Sequence, residues 1–248
     1  MRKVASEWAR SLSLWLGLAC WVAPSLAVDG VQVITTTYTV HADDARGAEL
    51  SPRYDAAIDL LKAGKLDEAD AQLRELIAAF EALRDPAQAN YAFQTQADLA
   101  DFTQQTQQAF VWLDWRYAMA LKARAFIASE RGLYEDALMQ LRAIEVVAPI
   151  NAEAFAEIGF VLGQLHRPDE ALASYRKALE VCKKFTSQRP RQSMILRGIG
   201  YMLVELGRLD EAEQAYKESL AVEPGNELAT RELTYIAQVR ARSAKANP

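Results

Sequence analysis

The sequence is poor in the residues that chemistry most often uses. Its 248 residues include two cysteines and two histidines. Cys20 falls in the N-terminal apolar run, so Cys182 stands alone in the body of the chain and no intramolecular disulfide can form there. With no histidine nearby in sequence, Cys182 reads as a small apolar side chain in a helix rather than as a reactive thiol. His41 and His166 have no His or Cys at metal-ligand spacing, so neither a metal nor a cofactor is expected. A Gly-rich phosphate loop, a Gly-x-Ser-x-Gly turn and a nucleophile with a base at motif spacing are all missing. The expectation is a protein with no catalytic residues, not an enzyme. Glycine and proline are sparse, 11 and 8 in all, which favours helices. A basic excess is missing too. The net charge is −5, and removing an N-terminal segment of net +2 (Arg2, Lys3 and Arg10 against Glu7) leaves −7, so overall charge argues against nucleic acid as a partner and leaves only a local basic patch as a route to one.

Nor is there a long apolar run. Leu12 to Ala23 is shorter than the ~20 residues a membrane span needs. It follows a basic start and precedes Ser25-Leu26-Ala27, a small-x-small cleavage site, which together have the form of a secretory signal over residues 1–27. An exported, periplasmic protein is the expectation. Membrane association would need this segment retained, or Cys20 lipidated, and Gly17 stands where a lipid-attachment site normally has Leu. Residues 28–49 read as an extended linker. Within it Val31 to Val40 is rich in β-branched residues and has no partner strand in sequence.

What the chain does have is a recurring helical hairpin. Its best copy is Gly200 to Tyr216. Gly200 lies within a first helix, Gly207 ends that helix, Asp210-Glu211 open a second, Ala212 permits a close helix crossing, and Pro224 follows. Gly64, Asp67-Glu68 and Ala69 repeat the pattern, as do Gly132, Glu135-Asp136 and Ala137. A third copy has Gly159, Asp169-Glu170 and Ala171, with His166-Arg167-Pro168 in place of the Gly turn. The crossing alanines Ala69, Ala137, Ala171 and Ala212 are spaced by 68, 34 and 41 residues, that is two periods, one period, and one period with seven residues inserted. The acidic pairs sit where the positive end of a helix dipole accounts for them without catalysis.

These residues resemble the tetratricopeptide repeat, a helix-turn-helix unit of ~34 residues that stacks into a solenoid. The resemblance implies an all-α, right-handed α-solenoid over residues 50–243 that binds peptides or proteins. Hairpins are expected at about 50–83, 118–151, 152–185 and 190–226. The seven extra residues around Lys183 to Pro190 read as an extended second helix and a longer loop. A C-terminal capping helix is expected over 227–243, its polar side formed by Arg231, Glu232, Arg240 and Arg242. Residues 84–117 read as a degenerate repeat. Ala87 to Arg131 has neither Gly nor Pro, and Leu99, Phe102, Thr106, Phe110, Leu113, Tyr117 and Leu121 recur at steps of three and four. That pattern predicts one long amphipathic helix running into the second hairpin.

In the resembling family, the first helices line a concave groove. Transferred to this sequence, the groove-facing positions are Lys122 and Phe126, then Phe160, then Arg197 and Tyr201: a row of aromatics flanked by cations, the types that most often dominate binding energy. Tyr54, Ile58 and Leu61 fall on this face in the first hairpin. Family members that clamp a C-terminal carboxylate place Lys and Asn four residues apart here, whereas this chain has Lys122 and Phe126, followed by Glu153 and Glu157, which argues against such a clamp. A second surface is Phe110 to Trp115, apolar all round, which this chain or another must bury: burial inside the solenoid is the first reading, and self-association through Trp112 and Trp115 the alternative. The corresponding alternative is an assembly subunit that oligomerises or tethers through a 98–130 helix or the 31–40 segment.

Overall fold

A computed structural model describes residues 45–246, and for 243–246 the backbone only. The Val31 to Val40 stretch and the signal-like segment lie outside the described residues. Four helical pairs carry the architecture: α1 (Ser51–Lys62) with α2 (Leu66–Ala82), α4 (Arg116–Glu130) with α5 (Tyr134–Val147), α6 (Ala152–Gln164) with α7 (Pro168–Lys184), and α8 (Gln192–Glu205) with α9 (Leu209–Val222). A last helix, α10, spans Glu227–Ala246. Each helix packs on its hairpin partner, and consecutive hairpins stack, α2 on α4, α5 on α6, α7 on α8 and α9 on α10.

Local chemistry explains the hairpins. The turn after α8 needs a left-handed residue, and Gly207 supplies it at φ 72°. The equivalent turn after α6 has His166 at φ 56°, so that hairpin closes with a residue that resists the conformation. Beyond each turn the acidic pair lies in the first turn of the second helix, as in Asp169 and Glu170 of α7. The crossing residues Ala69, Ala137, Ala171, Ala178 and Ala212 are fully buried. Ser219 takes this role in α9 and is equally buried, its hydroxyl donating to the Ser193 carbonyl at 3.1 Å, so the polar atom has a partner.

The long helix expected through residues 98–130 is not formed. The chain instead makes β1 (Ala89–Ala92), α3 (Gln96–Thr106) and β2 (Phe110–Leu113) before α4 begins. β1 and β2 pair in parallel, Ala89 opposite Phe110 through Ala92 opposite Leu113, and Arg46 bridges to Leu113 on the other edge of β2. Three local features break the helix. Thr95 and Asp98 form a reciprocal capping box that starts α3. Gln107 ends it in the left-handed region at φ 45°. The Asp114 carboxylate accepts the Arg116 amide at 2.8 Å, a local turn immediately before α4. Between them Phe110 to Leu113 alternates half-buried and buried, the period of a strand. Tyr91, Phe93, Phe102 and Phe110 form a four-ring core for this insert, every pair of centroids 5.1 to 6.4 Å apart.

The insertion is shared: the second helix, α7, is 17 residues long against 14 for α9, and a six-residue 3-10 segment, Thr186–Arg191, follows it, with α3 packed on that segment. Gln188, buried, donates to the Asp98 carboxylate at 2.5 Å and accepts the Ala152 amide at 3.2 Å. The Ser187 amide donates to Asp101 at 2.8 Å, and Gln105 donates to the Lys184 carbonyl at 3.0 Å. The two departures from a plain helical stack thus hold each other. Cys182 lies beneath, donating to the Gln188 carbonyl, its thiol pushed up to about 11 by burial.

Candidate functional site

Phe126, Phe160 and Tyr201 occupy the same register position of α4, α6 and α8. All three rings are half-buried and pack against the hydrophobic core, whereas Phe155, Tyr175 and Tyr216 in the same hairpins are buried. Tyr54, Ile58 and Leu61, the corresponding residues of α1, are buried, so the row of partly exposed aromatics begins at α4.

Small residues let the second helices press against the first ones. A Cβ on Gly159 would stand 2.7 Å from the Tyr175 ring, and one on Gly198 would meet the other side of it. One on Gly200 would stand 2.8 Å from Tyr216. Tyr175 and Tyr216 are both buried. Burial above all raises both pKa values.

The two cations expected to flank the aromatics are already paired. Lys122 Nζ reaches Glu153 at 2.6 Å and Glu157 at 2.9 Å across the α4–α6 junction, and Arg191 lies 3.6 Å from the other Glu153 oxygen. Burial works to lower the Lys122 pKa, but Glu157 and Glu153 more than offset it and the ammonium stays charged. The two carboxylates divide: burial keeps Glu157 raised, while Lys122 and Arg191 outweigh burial at Glu153 and lower it. Arg197 donates to Glu223 at 2.7 Å and to the Ser193 hydroxyl at 2.7 Å. Hydrogen bonds from Ser193, Arg197 and Asn226 hold Glu223 down at about 2. The face is therefore a line of rings between internally neutralised ion pairs, with no bare cation at either predicted position.

Trp112 and Trp115 are also half-buried and pack against this chain's own core. Trp115 stands edge-on to Tyr54 at 5.9 Å with the Arg116 guanidinium 5.2 Å from its ring, while the Trp112 indole nitrogen is buried without a hydrogen-bond partner among the described residues. Among the described residues no group of three His, Cys, Asp or Glu side chains is placed to hold a metal, and no helix is long and apolar enough to cross a membrane.

Sequence reasoning passed over one residue of this row. Tyr235 of α10 lies 34 positions after Tyr201 and is 47% exposed, and the period that related the hairpins was sufficient to find it.

Residues 151–222 match the family model of the tetratricopeptide repeat. No curated protein sequence matches the chain. Three solved structures share its fold. PilW, a widely conserved type IV pilus biogenesis factor, is 18% identical with a TM-score of 0.55, covering 78% of this chain and 70% of its own. MamA is 14% identical with a TM-score of 0.55, over 81% and 87%. PilF of Pseudomonas aeruginosa is 14% identical with a TM-score of 0.55, over 77% and 69%. At these identities the likeness is one of architecture: an all-α solenoid of tetratricopeptide-like hairpins.

Proposed function

We propose that this protein is an exported docking scaffold that binds a segment of a partner protein along the face formed by α4, α6 and α8. The observation that carries this reading is the row of Phe126, Phe160 and Tyr201, left half-exposed on three successive first helices while neighbouring rings are buried. Aromatic rings on a rigid support lose little conformational freedom on binding, so such a row favours association. The paired state of Lys122 and Arg197 makes contact through rings and hydrogen bonds, rather than capture of a carboxylate, the dominant mode.

Capture from the native source tests it, with wild type compared against the combined Phe126→Ala, Phe160→Ala, Tyr201→Ala variant under matched helical circular dichroism. One partner protein, recovered by the wild type and depleted at least about tenfold on the variant, is expected. A partner recovered equally by both would place the binding surface elsewhere. Export is proposed from the basic, apolar and small-x-small segments of residues 1–27, and cell fractionation tests it: the protein is expected outside the cytoplasm, shortened by that segment.

A further inference from the structure

One stretch of this acidic chain carries cations alone. From Val181 to Val204 the sequence has Lys183, Lys184, Arg189, Arg191 and Arg197 and no Asp or Glu. Of the four second helices only α7 has basic residues in its last turn, and its 3-10 extension adds Arg189 and Arg191. The helix dipole accounts for the two lysines but not for the arginines beyond the helix end. Neighbouring cations are answered by carboxylates: Lys177 pairs with Glu145, Arg197 with Glu223, and Arg191 lies 3.6 Å from Glu153. Lys183, Lys184 and Arg189 are exposed and make no ion pair with any described residue. Glu180, exposed one turn before the lysines, pairs with neither.

The insert sets these cations in a line. Lys184 to Arg191 runs antiparallel to α3: Gln105 donates to the Lys184 carbonyl, the Ser187 amide to Asp101, Gln188 to Asp98, and Arg191 Nη2 to the Gln94 side chain at 3.5 Å. The α3 helix has 11 residues and is about 16 Å long, the reach of about five residues of extended chain. Its surface is uncharged. Between Asp85 and Asp114 there is no Lys, Arg or Glu, and the two carboxylates there, Asp98 and Asp101, are both hydrogen-bonded to the 3-10 segment. What the insert exposes instead is glutamine: Gln94, Gln96, Gln104, Gln105, Gln107 and Gln108.

Three unanswered cations call for an anionic guest, and the glutamines narrow its kind. Side-chain amides both donate and accept, so they meet the N–H and C=O groups of a peptide, which a phosphate surface lacks. No large apolar side chain is exposed along the strip, so nothing there would enter a bilayer. The chain as a whole is negative and would repel an extended anionic surface within the ~8 Å screening length, whereas a short segment touches the strip alone. We infer that the 3-10 segment and α3 form a second docking surface, which takes an acidic segment of a protein laid along α3, with several Asp or Glu within about five residues. This surface is independent of the aromatic row.

The test uses the full chain and fluorescein-labelled hexaglutamate, with hexaglutamine as the uncharged control, titrated by anisotropy. Wild type is expected to bind hexaglutamate and not hexaglutamine, more weakly as salt is raised. The combined Lys183→Gln, Lys184→Gln, Arg189→Gln variant should bind about tenfold more weakly. The same loss of charge on the first hairpin, Arg53→Gln, Lys62→Gln, Lys65→Gln, removes cations already paired with Glu75, Asp59 and Glu68 and should leave affinity within about twofold of wild type, as should Phe160→Ala. Sedimentation with phosphatidylglycerol vesicles should leave the chain in the supernatant. No binding of hexaglutamate, or an equal loss in the two triple variants, would overturn the inference. So would vesicle binding that disappears in the first triple variant, because the strip would then be a membrane contact. A loss confined to Phe160→Ala would place acidic segments on the aromatic face, overturning this second surface and leaving the first reading intact.

Discussion

Gln188 Nε2 donates to the Asp98 carboxylate across 90 residues of sequence, and the same side chain accepts the Ala152 amide at the start of α6. One glutamine therefore joins the insert, the 3-10 segment and the third hairpin. Gln188→Ala leaves a buried carboxylate oxygen and a buried amide without partners, and should cost about 2 kcal/mol. Urea denaturation measures it. Amide exchange should show α3 opening more readily than α9, and a uniform change across the chain would contradict the local linkage.

Lys122 neutralises two carboxylates that would otherwise face each other. Lys122→Met should destabilise the fold at pH 7 by about 2 kcal/mol, less than for a fully buried pair because these side chains are 17 to 30% exposed. The sign with pH follows from linkage. In the native chain Glu153 is held below the ordinary 4.5, so its contribution is present above 4.5 and lost as pH falls through its folded value. Glu157, raised, works in the opposite direction. In the variant both carboxyls are raised, so the folded state binds more protons than the unfolded state above pH 4.5. Acidification towards 4.5 should then narrow the gap between variant and wild type. Urea midpoints at pH 7 and 5 check this, and a constant gap would contradict it.

Gly198 and Gly159 hold the Tyr175 ring between them. Gly198→Ala forces a methyl group into that ring and should cost about 1 to 3 kcal/mol. The double variant with Tyr175→Leu should recover part of the loss. Thermal denaturation of the single and double variants decides, and additive losses would show that the ring is not the obstacle.

His166 occupies a left-handed turn that Gly fills in the second and fourth hairpins. His166→Gly should stabilise the chain by about 1 kcal/mol. A fall in the urea midpoint would mean that the imidazole makes a compensating contact.

The hairpins were legible because their determinants are local. Gly207, Asp210-Glu211 and Ala212 each fix a turn, a helix start or a crossing within a few residues. The insert was not, because Leu99, Phe102, Tyr117 and Leu121 do lie on helices while Phe110 and Leu113, at the same spacing, lie on a strand. The choice is made by pairing with Ala89–Ala92 and by the four-ring core, both non-local. Two local signals lie within the run, the Thr95/Asp98 capping box and Asp114 before α4, but apolar spacing of three and four continues through both and masks them. At the candidate site, register located Phe126, Phe160 and Tyr201. The pairing of Lys122 with Glu153 and Glu157, 31 and 35 residues away, depends on how helices stack and is not written in any one segment.

The central claim is that the face carrying Phe160, and not the opposite surface, meets the partner. A photo-crosslinking amino acid placed at position 160, or at Val146 on α5, which is 62% exposed, tests it with one residue changed at a time. The account predicts a covalent adduct with the captured partner from position 160 and none from position 146. An adduct from position 146 with none from position 160 would contradict it.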